Sequence, residues 1–288
     1  MRKTTRKRIE LMYLIGPGIL LIAVVTFYPA FYAIWVSLHA TSFTQVGAFV
    51  GLRNYFRFFQ NPNALQSIIV SLKYVIGTVC IAIPMGYIYS LILSSHIRGE
   101  KVFRSIILIP WIVSQVVIAL LWKWFLDGTY GPFVYYLSRI GITDIHFFGE
   151  KLALPTLIFT NIWRTFPFAM VMILASLQTI PVELYESART DGANSFQVFW
   201  KITFHFTTAT LLITIIMLTL ESFNMVTLIF TLTAGGPMGK TETLSLSVYK
   251  EAFKNWRLDY ATTTGVIILI FNVVFSLGYI ALLRREKD

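Results

Sequence analysis

Two side chains, Arg164 and Glu221, carry charge deep inside long apolar runs of the sequence. On helices rising 1.5 Å per residue, each lies 11 residues from the nearer end of its run, about 16 Å in. A charge held there costs about 2.5–3.5 kcal/mol on insertion scales, so each needs a reason. Two arrangements supply one: the runs lie antiparallel and the charges form an ion pair, or each faces a wet pore separately. Lys73 and Lys123 need neither, because they lie within about six and three residues of a run end and can snorkel. Amides and hydroxyls share these stretches. Asn161 precedes Arg164 by three residues and so lies on its face; Thr214, Glu221 and Asn224 follow one another at i, i+7, i+10, with Ser222 adjacent; Asn272 and Ser276 are an i, i+4 pair. Such groups hydrogen-bond either a neighbouring helix or a hydroxyl-rich solute, and spacing does not choose between the two.

Catalytic chemistry finds little support. His39, His96, His146 and His205 are far apart with no H-E-x-x-H, so no metal site is expected. Cys80 is the single cysteine and lies in an apolar run. Residues 234–241, Ala-Gly-Gly-Pro-Met-Gly-Lys-Thr, imitate a loose phosphate-binding loop. No strand precedes them and no helix follows at once, and Pro237 removes an amide that would have to face phosphate. Asp127, Asp144, Asp191 and Asp259 all fall outside the apolar runs, leaving Glu221 too isolated for paired-carboxylate catalysis. The chain reads as a non-enzyme with no cofactor of its own.

The elements that must hold these groups are membrane spans. Of the 288 residues, 56% are apolar and only 13% charged, about half the ~25% of soluble domains. That balance excludes both a soluble globule and a disordered chain. Six stretches reach the ~20 apolar residues needed to cross hydrocarbon: about 11–38, 67–95, 104–126, 153–180, 206–232 and 263–283. The first is too long for a signal-peptide core and lacks a cleavage site. Prolines inside spans (Pro29, Pro84, Pro167) are tolerable where neighbouring helices satisfy the freed carbonyls. With the N-terminus inside, the inner segments 1–10, 96–103, 181–205 and 284–288, with Arg104 at a boundary, hold 13 Lys/Arg in about 49 residues. The outer loops 39–66, 127–152 and 233–262 hold 8 in 84. The positive-inside rule therefore puts both termini in the cytoplasm, with 1–10 a basic, lipid-anchoring tail and 284–288 a second tail. The net charge of +10 is accounted for by topology and membrane lipid, not nucleic acid.

The inner loop 181–205 carries the most information. It reads as a short helix from Val182 to about Thr190, with Pro181 at the first helical position, Glu183 near the N-terminus and Gly192 as the stop. A second helix leads into the fifth span. Small Ser187, Ala188 and Ala193 allow a partner's backbone to come close, and Tyr185 and Phe196 offer apolar anchors.

Glu186-Ser187-Ala188, Asp191-Gly192-Ala193, Phe199 and Ile202 resemble the E-A-A…D-G-A…F…I…P loop of binding-protein-dependent ABC importer permeases. Ser187 stands where that family has Ala, and His205 where it has Pro. Leu232-Thr233-Ala234-Gly235-Gly236-Pro237, together with Trp163, Arg164, Pro167, Thr243, Tyr249 and Phe253, resembles its carbohydrate (maltose-like) branch. The likeness runs from about residue 10 to the C-terminus. It implies an all-α membrane protein of the type I ABC importer permease fold, with six transmembrane helices and a cytoplasmic coupling helix. Glu186, Ser187, Ala188, Asp191, Gly192 and Ala193 would seat in a separate cytoplasmic ATPase dimer that carries ATP and Mg. A second permease subunit would complete the pore as a heterodimer in the inner membrane. An extracytoplasmic binding protein would deliver the carbohydrate. Asn161, Arg164, Glu221, Ser222, Asn224 and Asn272 are the candidate pathway residues. Asn161 and Ser222 fall where family members contact sugar, and Met225 replaces a polar residue at another such position. A permease for glycerol phosphate or polyamine is the alternative within the family. An ion-coupled secondary carrier is the alternative outside it, but would show inverted repeats and several intramembrane acids.

Overall fold

A computed structural model describes residues 2–95 and 98–285, with side-chain environments for 14–95 and 98–282. The side chains of the basic run Arg2, Lys3, Arg6, Lys7 and Arg8, and residues 286–288 of the C-terminal tail, lie outside that description. Among the described residues, five helices are long and apolar enough to cross a membrane: Leu14–Ser37, Pro62–Ser94, Ala153–Leu177, Ser195–Phe223 and Leu258–Leu282. A bent pair, Glu100–Ile112 and Gln115–Phe125, makes a sixth candidate when its two halves are taken as one span.

Three expectations change in detail. The first helix runs from Arg2 to Ser37, so the basic stretch 2–10 is itself helical. The third span, expected as one helix over 104–126, turns by 94° between its halves. Val113 (ψ 142°) and Ser114 (ψ 136°) are extended there, which ends the helical ladder, and Ser114 takes the N-cap place of the second half. The fifth span, expected over 206–232, stops as a helix at Phe223 and resumes as Thr227–Leu232. Asn224, with φ −93° and ψ 6°, closes the first part. The two resumed halves, Gln115–Phe125 and Thr227–Leu232, pack on each other.

The chain forms two compact units. One comprises residues 1–61 and 248–267. In it a hairpin pairs His39–Ser42 antiparallel with Gln45–Phe49, and the helix Arg53–Gln60 follows. Buried Asn54 donates from Nδ2 to the carbonyls of Ser37 and His39, each at 2.9 Å, stitching this helix to the end of the first span. Thr41 Oγ1 accepts from the Asp259 amide at 2.9 Å, Arg57 lies 3.6 Å from the Asp259 carboxylate, and the Phe58 ring meets Tyr260 at 5.8 Å.

The other unit, residues 62–247 and 268–288, is centred on Ala153–Leu177, two-thirds buried where the first span is almost wholly exposed. Small residues make that burial possible, because close backbone approach replaces the missing hydrophobic drive between helices in lipid. A Cβ added to Gly86 would stand 2.6 Å from Ala169 Cβ and 2.8 Å from the Met170 amide nitrogen, so only glycine fits. The fifth span joins the pair through Tyr87 and Thr207, whose hydroxyls lie 2.7 Å apart. Stacked Phe223 and Phe271 link the fifth span to the last helix. At one end Asp127 Oδ1 accepts from the amides of Thr129 and Tyr130, which holds this exposed carboxyl below the usual carboxylate range.

Candidate functional site

The intramembrane polar cluster is built on three helices. Arg164, buried in the fourth span, donates from Nη2 to Glu221 Oε1 at 2.7 Å. The guanidinium also donates to Asn161 Oδ1, from Nε at 3.3 Å and from Nη2 at 3.2 Å. Asn161 is thereby oriented to donate from Nδ2 to Thr78 Oγ1 on the second span at 3.3 Å and to Ser222 Oγ on the fifth at 3.5 Å. Of the two arrangements the sequence allowed, the ion pair is the one formed. The partners are unequal: the Arg164 side chain is 4% exposed and that of Glu221 35%. A buried cation with matched acceptors has its desolvation cost offset, whereas either partner alone would not.

Glu221 opens onto a cleft of about 400 Å³ lined by Gln115, Leu220, Glu221, Asn224, Met225, Val226 and Thr227. The cleft lies where the third and fifth spans are interrupted, since Gln115 begins one resumed helix and Thr227 the other. Interrupted helices leave backbone groups at membrane depth, a state tolerated where they line a water-filled cavity. Asn224 is exposed and spends Nδ2 on the Leu220 carbonyl at 2.8 Å, leaving its Oδ1 toward solvent. Met225 is buried, and its carbonyl accepts from Ser245 at 2.7 Å.

Other candidates fall elsewhere. Thr214 is buried and donates to the Thr210 carbonyl of its own helix, so its polarity is satisfied locally. Among the described residues Asn272 is not joined to the cluster, and its buried Oδ1 has no hydrogen bond there. Sequence reasoning missed Tyr74, Thr78 and Gln115. Tyr74 is wholly buried within electrostatic reach of Arg164 and Glu221, and its hydroxyl has no partner among the described residues. Tyr74 and Thr78 form an i, i+4 polar stripe on the second span, and Ser114-Gln115 is a polar pair in an apolar run; both signals were present in the sequence.

The loop 181–205 folds largely as expected, with a helix over Val182–Thr190 and Glu183 in its first turn. Pro181 sits one residue earlier than expected, as the N-cap with ψ 133°. Gly192 has φ +75°, and its neighbour's amide, Ala193 N, reaches back to the Ala188 carbonyl at 2.9 Å. Asn194 and Gln197 form a reciprocal capping box that starts the next turn. Phe199–Phe204 is then wound as a π-helix and runs without a break into His205–Phe223. Glu186, Ser187, Asp191 and Gly192 are exposed, while Ala188 and Ala193 are half-buried. Phe196 is 72% exposed, in keeping with an anchor for a partner. Tyr185 is not: it packs inward near Tyr87, Ile173 and Leu177, with its hydroxyl 3.2 Å from Thr203. The helix needs one apolar face for its own bundle, and Leu184 and Tyr185 form it.

The phosphate-loop imitation at 234–241 is a closed turn. Gly236 N donates to the Thr233 carbonyl and Lys240 N to that of Pro237, while Thr241 Oγ1 bonds Thr233 and Gly236. These amides are spent within the loop, and the next helix starts only at Leu244.

Residues 79–288 match the family described as binding-protein-dependent transport system inner membrane component. The chain belongs to that family. It is 32% identical over 292 residues to the trehalose/maltose transport system permease protein MalF of Thermococcus litoralis, covering 99% of this chain and 98% of that one. It is 29% identical over 266 residues to the sn-glycerol-3-phosphate transport system permease protein UgpA of Brucella abortus, covering 92% of this chain and 91% of the relative. In fold it is similar to a chain of a bacterial alginate ABC transporter crystallised with an alginate pentasaccharide-bound periplasmic protein, with a TM-score of 0.84 and 22% identity over 99% of this chain and 97% of that one. The permease is thus a multi-pass membrane component of a transport system with the type I importer fold, mostly helical and not all-α as expected, since one β-hairpin follows the first span.

Proposed function

We propose that this permease forms half of the pore of an ABC importer for a carbohydrate, working by alternating access. The observation that carries the reading is the cleft at the paired helix breaks, where an amide-rich, hydroxyl-accepting surface meets a buried ion pair at membrane depth. Sugars present many hydroxyls, and a few convergent amides and carboxylates suit them. A relative named for trehalose/maltose transport supports the same substrate class.

In this reading both termini are cytoplasmic and the loop 181–205 is the coupling helix. A separate ATPase dimer, holding the ATP and Mg, receives its exposed face, including Glu186, Ser187, Asp191 and Gly192. Closure of that dimer pushes the helix, and the capping box and π-turn pass the motion into the fifth span, whose break lines the cleft. A second permease chain completes the pore as a heterodimer, and an extracytoplasmic binding protein delivers the sugar.

The test is purification from native membranes in mild detergent, comparing wild type with Gly192→Asp, alongside uptake of labelled sugar. The expected result is that wild type brings down an ATPase and a second permease, and that the variant loses the ATPase and uptake together. Wild-type protein that comes down alone and transports unaided would overturn the reading in favour of an ion-coupled carrier.

A further inference from the structure

Resting on the proposed carbohydrate pathway, we infer that the Glu221 cleft is a charge filter, which admits neutral polyhydroxyl solutes and rejects those bearing a carboxylate or phosphate. The argument is one of layering. Glu221 stands at the cleft wall with its side chain 35% exposed, and its Oε2 has no partner among the described residues. Its counter-ion Arg164 is behind it, 4% exposed and turned toward Asn161. None of the residues lining the cleft is basic. A solute in the cleft therefore meets a carboxylate oxygen, the Gln115 amide and the Asn224 carbonyl oxygen before it can reach any positive charge.

A neutral sugar can donate a hydroxyl to Glu221 Oε2 and keep the Arg164 pair intact. An anionic sugar faces the nearer carboxylate with only a farther guanidinium to offset it. At an effective dielectric near 20, an anion about 4 Å from the carboxylate and about 6 Å from the guanidinium would lose about tenfold in affinity. A cation gains from the same asymmetry, so the filter acts against anions and not against polyamines. The cleft therefore separates the two solute classes that relatives of this chain are named for, neutral disaccharides and glycerol phosphate, by position of charge rather than by size.

The experiment uses the assembled importer in membranes, with Cys80→Ala and Thr227→Cys, a reporter at the cleft wall. Maleimide labelling of the new thiol is measured against increasing trehalose, trehalose 6-phosphate and spermidine, with no binding protein present to impose its own choice. Trehalose should protect at concentrations about tenfold lower than trehalose 6-phosphate, and spermidine should also protect better than the phosphate. Adding Glu221→Gln, which keeps an acceptor for Arg164 but removes the charge, should erase the discrimination. Should that variant fail to assemble, Asn224→Lys, at an exposed position, should erase it instead. Equal protection by trehalose and its phosphate, or protection by spermidine no better than by the phosphate, would overturn the filter. Failure of all three to protect while sugar uptake proceeds would overturn the filter and leave the importer reading standing; loss of uptake as well would remove both.

Discussion

The intramembrane cluster and the loop 181–205 are built on opposite terms. Around Arg164, the guanidinium has its acceptors inside the chain, and Asn161 uses both ends of its amide to tie three helices together. On the loop, Glu186, Ser187 and Asp191 turn their side chains to solvent, and a Cβ at Gly192 would meet nothing within 4 Å. In the first region the buried cation is matched within the chain, as charge in a low-dielectric setting has to be. The second is finished only locally, by caps and backbone bonds, and its outer face awaits something else. Damage to the first should appear as lost folding, and damage to the second as lost coupling in a well-folded protein.

The largest effect should come from Glu221→Ala, which strands a guanidinium that is almost wholly buried. Breaking such a pair costs about 3–5 kcal/mol, so the purified protein should melt far below wild type or fail to accumulate. Replacing both partners, Glu221→Ala with Arg164→Met, should recover much of that loss, because no charge is left uncompensated. A double variant as unstable as the single one would break the comparison at its root.

A matched glycine pair sharpens it. Gly86→Ala drives a methyl into Ala169 and the Met170 backbone, a clash of the overpacking kind worth about 1–3 kcal/mol, and thermal unfolding in detergent should register it. Gly192→Ala enters open space and meets only left-handed backbone strain, confined to the loop. It should leave the melting of the bundle near wild type while lowering ATP-driven uptake. The smallest effect on stability belongs to Glu186→Ala, within about 0.5 kcal/mol as for other exposed positions. Its uptake should nevertheless fall severalfold, and unchanged transport would detach Glu186 from coupling.

Legibility in the sequence followed the range of the forces involved. The helix Val182–Thr190 and its stop at Gly192 were readable because capping and left-handed glycine are decided within a few residues. The inward turn of Tyr185 was not, because which face of a short helix is covered depends on Tyr87 and Ile173, about 100 and 12 residues away. The bend at Val113–Ser114 was hidden as well. An apolar run with one polar pair reads equally as a straight helix or an interrupted one, and hydropathy is blind to ψ.

Composition and the spacing of apolar runs determined by themselves that this chain lies in a membrane, roughly where it crosses, and that one loop carries an ordered helix between crossings. Transfer of apolar residues to hydrocarbon and local capping are properties of short windows of sequence. Only the tertiary structure decided that Arg164 meets Glu221, that Asn161 joins them to Thr78, and that two helix breaks open a cleft beside the pair. Those outcomes depend on how each helix is rotated and how closely it approaches its neighbour. Contacts as specific as Gly86 against Ala169 set both, between residues more than 80 positions apart in the chain.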